Sequence, residues 1–305
     1  STAMATASSP QPLRGTRIVS LALNLPGPAA LMRLAAMGAK CLKVEPPGPG
    51  MTPAGRPISG DPMGQYNIGA YSALHEGIRV VQLDLKAERG QAPLARELLR
   101  ADLLLTSFRP SALVKLGLDW KALRRTYPHL SMVEIVGAPG ARADEPGHDL
   151  TYLAEAGLVT GTELPPTLLA DMAGALMASE AARAALMQAR ATGRGQHRQV
   201  ARSSAAEWLA LPRTWGLTLP SGSVGGAHAG YRVYPCKDGR VAIAALGPHF
   251  ARALFAVAGL PPPDARAPFA PQAREAIAAW ALSKTRKQLD ALAAQHDIPL
   301  HTLSK

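Results

Sequence analysis

Residues 17–45 read RIVSLALNLPGPAALMRLAAMGAKCLKVE, and this stretch decides the fold of the first part of the chain. Residues 17–23 are short, apolar and partly β-branched, which predicts a strand. A Pro-Gly-Pro break at 26–28 precedes a helical pattern over 29–37, which the glycine that follows it would end. Residues 40–45 predict a second strand. A strand, a helix and a strand within about 30 residues form a βαβ unit with parallel strands and a right-handed crossover.

Strands and helices continue to alternate after this unit. Further strands are predicted at 79–85, 102–106 and 129–136, helical patterns at 90–100 and 113–125, and one long Ala-rich helix at 170–191. Such alternation predicts an α/β fold with a doubly wound parallel sheet. Ligands of such sheets bind beyond the carboxyl ends of the strands.

The last part of the chain predicts a second, smaller α+β domain. A hairpin is expected at 231–235 and 240–246 around an Asp-Gly turn, and helices at 248–258, 271–282 and 285–295. The domain organisation expected is a disordered tail or cloning remnant at 1–12, a large domain at 13–205, a linker at 206–230 and the small domain at 231–305. The first segment lacks the basic flank and long apolar stretch of a signal peptide.

The composition is typical of a folded protein. Of the 305 residues, 47% are apolar and 18% charged, which excludes wholesale disorder. No run approaches the ~18 uncharged apolar residues that a membrane span needs. Cys41 and Cys236 are too few and too far apart in sequence for a disulfide framework or a zinc cluster. We therefore expect a cytoplasmic protein with no metal site and no membrane partner.

The protein is strongly basic. It contains 33 lysines and arginines and 22 aspartates and glutamates, which gives a net charge of +11. Such a surface attracts nucleic acid, acidic membranes or phosphorylated small molecules. The basic residues are scattered singly or in pairs, without the interleaved aromatic residues of a single-strand binding platform. We expect no nucleic-acid partner. The excess charge indicates a solvated Arg-rich surface or a substrate that bears phosphates.

Common catalytic motifs are missing from the sequence. It contains no Walker loop, no Gly-x-Gly-x-x-Gly, no Gly-x-Ser-x-Gly and no His-Glu-x-x-His. Nucleotide hydrolysis, serine hydrolysis and zinc proteolysis therefore lose their support. The remaining candidates lie in loops at the ends of strands and helices.

Three residues in these loops can carry chemistry. Arg109 follows a predicted strand, where its guanidinium can grip a phosphate or carboxylate; the alternative is a solvated loop arginine. His148 can act as a general base near neutral pH, or it is a hydrogen-bonded structural histidine. Asp171 starts the Ala-rich helix, where it is either an N-cap or a carboxylate that the helix dipole keeps ionised as a nucleophile.

Taken together, several short segments resemble the family III CoA-transferases, and among them the α-methylacyl-CoA racemase branch. The segments occur in the expected order between about residues 14 and 303. They are Gly15-Thr16-Arg17-Ile18-Val19, Leu25-Pro26-Gly27-Pro28, Gly38 to Gly48, Val81 to Lys86, Ser107-Phe108-Arg109-Pro110, Leu116 to Asp119, Gly147 to Tyr152, Leu169 to Gly174 and Thr192 to Gln196.

The resemblance implies a Rossmann-like large domain that binds CoA, a smaller domain and an interlocked homodimer. It implies no permanently bound cofactor, since CoA enters as part of an acyl-CoA thioester substrate. The residues carried over are His148 and Asp171 as catalytic groups, and Phe108, Arg109, Lys115, Gly147, Asp149 and Tyr152 as CoA-binding groups. Arg109 and Lys115 would meet the nucleotide phosphates, and the loop from Gly147 to Tyr152 would line the thioester.

The reaction has three candidates. In the racemases, the aspartate and histidine that match Asp171 and His148 exchange a proton at the α-carbon, on opposite faces of an enolate. In the transferases, the aspartate attacks the thioester and forms an anhydride and then an aspartyl-CoA intermediate. A non-catalytic CoA-binding homologue is the third. The Gly-His-Asp sequence at 147–149 is the racemase-like form and favours α-proton transfer on a 2-methylacyl-CoA.

Three departures from the racemase pattern bear on that expectation. Gly247 stands where racemases carry a glutamate that assists the histidine. The interval from His148 to Asp171 is only 23 positions, shorter than the family's usual loop, which predicts a more open pocket. The chain also ends soon after residues 298–300, where relatives return through a further segment to the large domain.

Overall fold

The computed structural model describes residues 11–305, and the chain divides into two compact units. The first ends at Ala210 and the second runs from Leu211 to Lys305. The division lies in the segment expected as a linker at 206–230, and that segment begins with the last turns of a helix, Arg202–Thr214. Most of the tail expected at 1–12, up to position 10, lies outside the described residues.

The first unit contains one large sheet and one small hairpin. Its strands are β1 (Arg17–Ser20), β2 (Lys40–Glu45), β3 (Pro47–Met51), β4 (Pro57–Ser59), β5 (Arg79–Gln82), β6 (Leu103–Thr106), β7 (Ser131–Val136) and β8 (His197–Ala201). Six of them form a parallel sheet in the order β5-β2-β1-β6-β7-β8, and β3 pairs antiparallel with β4. Counted within the large sheet, this order is 3-2-1-4-5-6, the Rossmann arrangement. The predicted fold class is confirmed.

Helices cover both faces of this sheet. The helices between residues 26 and 214 are α1 (Pro26–Ala36), α2 (Pro62–Tyr66), α3 (Ile68–Leu74), α4 (Glu88–Arg100), α5 (Pro110–Leu116), α6 (Trp120–Thr126), α7 (Asp149–Glu155), α8 (Leu169–Thr192) and α9 (Arg202–Thr214). β6 and β7 are buried along their whole length, as strands of a parallel sheet covered on both faces should be. The apolar residues of α1 and α8 belong to one core cluster, and those of α4, α5 and α6 to a second.

The ends of α1 and α8 follow from their sequences. The prediction placed the start of α1 after the Pro-Gly-Pro break, but the helix begins at Pro26. The reason is that the first turn of a helix tolerates proline, whose missing N–H would have no partner there. α8 extends over 24 residues to Thr192 and is followed by Gly193, whose positive φ of 72° suits glycine. Small residues of these two helices, such as Ala30 and Ala178, are fully buried in one cluster.

A buried lysine connects the sheet to the segment between β2 and β5. The side chain of Lys43, on β2, is fully buried and forms an ion pair with Asp61, which is also fully buried. Nε2 of His75 lies 2.8 Å from the lysine Nζ, and a Glu45 carboxylate oxygen lies 3.9 Å from it. Burial lowers the pKa of Lys43, while Asp61 and Glu45 act in the opposite direction.

The partners of this lysine are themselves held in place. Nδ1 of His75 lies 2.6 Å from the carbonyl oxygen of Tyr71, and a carbonyl can only accept, so this nitrogen carries the proton. Nε2 is therefore left to accept a hydrogen bond from Lys43. The Glu45 carboxylate accepts hydrogen bonds from the hydroxyls of Ser59 and Tyr71 at 2.8 and 2.9 Å. Burial also lowers the pKa of His75, which favours its neutral form.

Replacing Lys43 should destabilise the protein strongly. Lys43→Met leaves the Asp61 carboxylate buried without its cation, and we expect the free energy of unfolding to fall by about 3–5 kcal/mol in urea denaturation. Lys121→Met, at an exposed position of α6, is the matched control and should change stability by about 0.5 kcal/mol or less. Adding Asp61→Asn to Lys43→Met should recover part of the loss. Equal stability of Lys43→Met and the unsubstituted protein would contradict this account.

The second unit is a three-stranded antiparallel sheet with helices. Its strands are β9 (Tyr231–Cys236), β10 (Gly239–Ala244) and β11 (Leu300–Leu303), in the order β11-β10-β9, and its helices are α10 (Pro248–Val257), α11 (Pro271–Leu282) and α12 (Arg286–His296). The predicted hairpin and the three predicted helices are present. β11 was not predicted. Within residues 11–305, no helix combines the length and the apolar character that crossing a membrane demands.

Candidate active site

A small cavity lies beyond the carboxyl ends of β6 and β7, the edge at which ligands of this fold bind. Its volume is about 200 Å³. Four of the predicted site residues line it, namely Phe108, Arg109, Gly147 and His148, together with one arginine that the sequence analysis did not single out, Arg202. Lys115, Asp149, Tyr152 and Asp171 are not among its lining residues.

Arg109 reaches this cavity because of the turn from β6 into α5. It occupies the N-cap position of α5, and Pro110 is the first residue of the helix, where proline is tolerated. Arg109 is exposed and therefore accessible to a ligand. Lys115 is exposed in the last turn of the same short helix, away from the cavity lining.

The main chain of His148 is held by a local pair of hydrogen bonds. The residue is the N-cap of α7, where its N–H donates to the hydroxyl of Thr151 at 3.1 Å. That hydroxyl donates in turn to the carbonyl oxygen of His148 at 2.8 Å. The residue as a whole is exposed and lines the cavity. A firmly held backbone with an accessible imidazole is what a general acid or base requires.

Asp149 connects the histidine loop to the start of α8. It is buried, and its Oδ1 accepts a hydrogen bond from the backbone N–H of Asp171 at 2.9 Å. The residue next to His148 therefore orients the main chain of Asp171, although the two lie 22 positions apart in sequence.

Asp171 lies inside the first turn of α8. The N-cap of this helix is Leu168, so the alternative interpretation of Asp171 as the capping residue is wrong. The carboxylate is still close enough to the amino end of the helix for the dipole to favour its charge. Its side chain retains 13% of its accessible surface, so a ligand atom can reach it.

Arg202 belongs to the candidate site, and the sequence analysis did not single it out. It follows β8 as the first residue of α9, and its Nη1 lies 3.4 Å from Oδ1 of Asp171. Its Nη2 donates to the carbonyl oxygen of Gly147 at 3.4 Å, and its guanidinium lies over the ring of Tyr152, 5.0 Å from the centroid. One arginine therefore contacts Asp171 and the start of the histidine loop.

The ionisation of Asp171 is set by opposing influences. Burial raises its pKa most strongly, and the neighbouring carboxylate of Asp149 acts in the same direction. The Arg202 guanidinium and, more weakly, His148 lower it. The net pKa is raised, so this carboxyl takes up a proton more readily than an exposed aspartate does.

The ring of Tyr152 fills the space behind the loop and requires glycine at two positions. A Cβ atom on Gly137 would lie 2.1 Å from the Tyr152 hydroxyl oxygen, and one on Gly147 would lie 2.3 Å from it. Glycine is therefore required at both positions, because the Tyr152 hydroxyl leaves no room for a Cβ atom. Since Tyr152 is buried, it supports the cavity wall from behind.

Gly137→Ala should destabilise the protein, and Tyr152→Phe should relieve the effect. We expect a loss of about 1–3 kcal/mol from overpacking in urea denaturation. Without the hydroxyl, the nearest ring carbon lies 3.1 Å from the new Cβ, so most of the loss should be recovered in the double variant. Gly161→Ala is the control, because its Cβ would meet nothing within 4 Å. Equal effects of Gly137→Ala with and without Tyr152→Phe would refute the assigned clash.

Fold and site together define an α/β protein of Rossmann-like topology, in which a buried aspartate is tied to the loop of an exposed histidine and two arginines line the adjacent cavity. The sequence model of CoA-transferase family III matches residues 13–305, and the chain belongs to this family. Members of the family are CoA-transferases and acyl-CoA racemases, both of which are enzymes.

Similar proteins include both kinds of enzyme. The chain is 32% identical to the succinate–glutarate CoA-transferase of Agrobacterium fabrum over 251 residues, 76% of this chain and 63% of that protein. It is 32% identical to the α-methylacyl-CoA racemase of Homo sapiens over 266 residues, 81% of this chain and 65% of that protein. The matches thus span less than two thirds of either relative's length.

A solved structure supports the fold over nearly the whole chain. The orthorhombic crystal structure of Rv3272 from M. tuberculosis superimposes with a TM-score of 0.77 at 26% sequence identity. The superposition covers 97% of this chain and 85% of that one.

Proposed function

We propose that this protein transfers the α-proton of an acyl-CoA thioester, in the manner of a racemase, with His148 and Asp171 as the two acid/base groups. The observation that carries the proposal is that Asp149, the neighbour of His148, holds the backbone N–H of Asp171 at 2.9 Å, while burial raises the pKa of the Asp171 carboxyl. A racemase needs one group that is protonated and one that is not, and either must be able to play either part. Burial raises the pKa of the Asp171 carboxyl, so its protonated form is more accessible than that of an exposed aspartate.

The proton balance is simple. In one direction, the Asp171 carboxylate removes the α-proton, and the imidazolium of His148 returns a proton to the opposite face of the enolate. The pair is left as a neutral carboxyl and a neutral imidazole. That state performs the reverse reaction, in which the imidazole removes the proton and the carboxyl returns one. No other reactant is consumed.

Arg202 is a positioning residue in this scheme. Its contact with Asp171 holds the carboxylate in one orientation, and its charge offsets part of the pKa increase that burial causes. Without it, Asp171 would stay protonated to a higher pH. The Arg202 side chain retains 20% of its accessible surface. In this scheme the acyl group of the substrate approaches Asp171 along that exposed part.

The CoA part of the substrate needs cations and an apolar surface. The guanidinium of Arg109 lies at the cavity and suits a diphosphate, which planar N–H donors bind in pairs. Phe108 lines the same cavity. Lys115 is exposed in the last turn of α5, outside the cavity lining, and in this proposal it meets a phosphate further out. Nothing in this scheme needs a metal ion, and within residues 11–305 no cluster of three or more potential metal ligands occurs.

The test is α-proton exchange in heavy water on 2-methylacyl-CoA esters, followed by mass spectrometry. We expect deuterium to enter the α-position without any carboxylic acid being added. Asp171→Asn and His148→Ala should each lower the exchange rate by at least about 100-fold, the usual worth of a general acid or base. Arg198→Gln, at an exposed position of β8, is the control and should leave the rate unchanged.

CoA transfer between carboxylic acids is the second candidate, and one observation favours it. The carboxylate of Asp171 combines a cationic partner with a position in the first turn of a long helix, both of which keep a nucleophile ionised. Transfer requires an acid acceptor and a covalent adduct on Asp171, and His148→Ala would largely spare it. Turnover only with an added acid, together with an aspartyl-CoA adduct and no exchange, would replace the first proposal.

The pH dependence tests the role of Arg202 separately from folding. Because Asp171 must be ionised to accept a proton, the rate in that direction should rise with pH through its pKa. Arg202 lowers this pKa, so Arg202→Gln should move the acidic limb of the rate profile to higher pH. Arg198→Gln should leave the limb in place. A limb that stays in place in Arg202→Gln, with only the maximum rate reduced, would assign this arginine a merely structural role.

A further inference from the structure

The amino edge of the large sheet carries a row of cations. β1, β2 and β5 are adjacent, and their first residues are Arg17, Lys40 and Arg79. Arg17 lies directly opposite Lys40 in the parallel register, and Arg79 lies opposite Leu42, two positions beyond Lys40. Register partners and residues two apart point to the same face of a sheet. All three cationic side chains therefore start from one face, on strands about 4.8 Å apart.

Helix α4 covers this face and adds a fourth cation. Its buried Leu94 and Leu98 belong to the same core cluster as Leu42 of β2. The last residue of the helix is Arg100. The result is a pocket of about 200 Å³ lined by Arg17, Lys40, Arg79, Arg100 and Glu97, with apolar residues of the strands completing the wall. We call these four cations and the space between them the basic pocket.

The charges of the basic pocket are not balanced. Glu97 forms an ion pair with Arg100 at 3.2 Å, and Asp102 accepts the backbone N–H of Arg17 at 2.8 Å. In the part of the chain that the structure describes, none of Arg17, Lys40 and Arg79 forms an ion pair. Even when Asp102, which does not line the pocket, is counted together with Glu97, only two carboxylates stand against the four cations. Like charges at neighbouring positions of a sheet destabilise it, and an anion bound between them would remove that cost.

We propose that the basic pocket binds a phosphate group. The two excess positive charges match a phosphate dianion, and arginine guanidinium groups bind such oxygens in pairs. The pocket is smaller than the ~300–1,000 Å³ of sites that enclose a drug-sized ligand, so it accepts a phosphate and not a whole nucleotide. All four cations are exposed at the surface, which leaves them accessible.

This site is separate from the candidate active site. The basic pocket lies at the amino ends of parallel strands, whereas the cavity with Arg109 and His148 lies at the carboxyl ends. Phosphate binding there depends neither on α-proton transfer nor on CoA transfer. It holds or fails whichever reaction the protein catalyses.

The test is calorimetric titration of the full chain with inorganic phosphate, and in a second arm with glycerol 3-phosphate. We expect Lys40→Gln and Arg79→Gln each to weaken phosphate binding by about ten-fold or more, the usual loss for one charge-assisted hydrogen bond. Arg124→Gln, at an exposed position of α6, should retain the affinity. Equal affinity for the two probes would show that the pocket binds the phosphate end of a larger molecule. Preference for inorganic phosphate would show that its ligand is the free phosphate ion.

Thermal denaturation gives a second test. A substitution that merely damages the fold lowers the melting temperature, whereas this proposal expects the opposite change. If the cations repel one another, Lys40→Gln should raise the melting temperature when no phosphate is present. The same variant should lose the increase that phosphate gives the unsubstituted protein. The proposal is overturned if millimolar phosphate does not bind, if Lys40→Gln keeps the full phosphate-dependent increase, or if Arg109→Gln abolishes binding while Lys40→Gln does not.

Discussion

The fully buried ammonium group of Lys43 is the constraint around which the first unit is arranged. A charge with no access to water needs partners of opposite charge and good geometry, and β2 itself offers only Glu45. The remaining partners come from the segment between β2 and β5, which brings Asp61 and His75 over the strand. That segment must therefore fold back onto the sheet instead of forming a simple crossover.

Asp61, the partner of Lys43, also contacts the edge of the sheet where the candidate active site lies. Oδ1 of Asp61 accepts the backbone N–H of Asn24 at 2.9 Å, just beyond the carboxyl end of β1. Asn24 adopts a positive φ of 66°, and its side chain accepts a hydrogen bond from the hydroxyl of Tyr66. A buried electrostatic requirement in the middle of the sheet thus determines the path of a loop at its carboxyl edge, and with it the start of α1.

The elements that the sequence predicts are those whose pattern is local. β6 and β7 are mostly apolar, and α8 is rich in alanine and other good helix formers. The missed elements lack such patterns: β3 reads PGPGM, and β8 reads HRQVA with its first three residues exposed at the sheet edge. β11, LHTL, pairs only with β10 across more than 50 positions of chain. These strands exist because a neighbour supplies hydrogen bonds, which no short window of sequence reveals.

The residues of the candidate site also fall into those that local sequence reveals and those that it does not. Arg109 and His148 were recognisable because they follow strands, and the structure brings both to one cavity. Arg202 was not recognisable, since 31 positions separate it from Asp171 and the strand before it was not predicted. Pairings of this kind depend on the order of strands in the sheet. A salt bridge between the starts of α8 and α9 is visible only once β7 and β8 are known to be neighbours.

The balance between the two candidate reactions depends on one carboxyl group. Proton transfer benefits from a pKa that approaches that of histidine, whereas nucleophilic attack benefits from a carboxylate that stays ionised. Burial and Asp149 act in the first direction, and Arg202 and the helix dipole act in the second. In the structure burial prevails, and the net pKa is raised. The two candidate reactions therefore make opposite demands on this aspartate, and the depth of its burial and its contact with Arg202 set the balance between them.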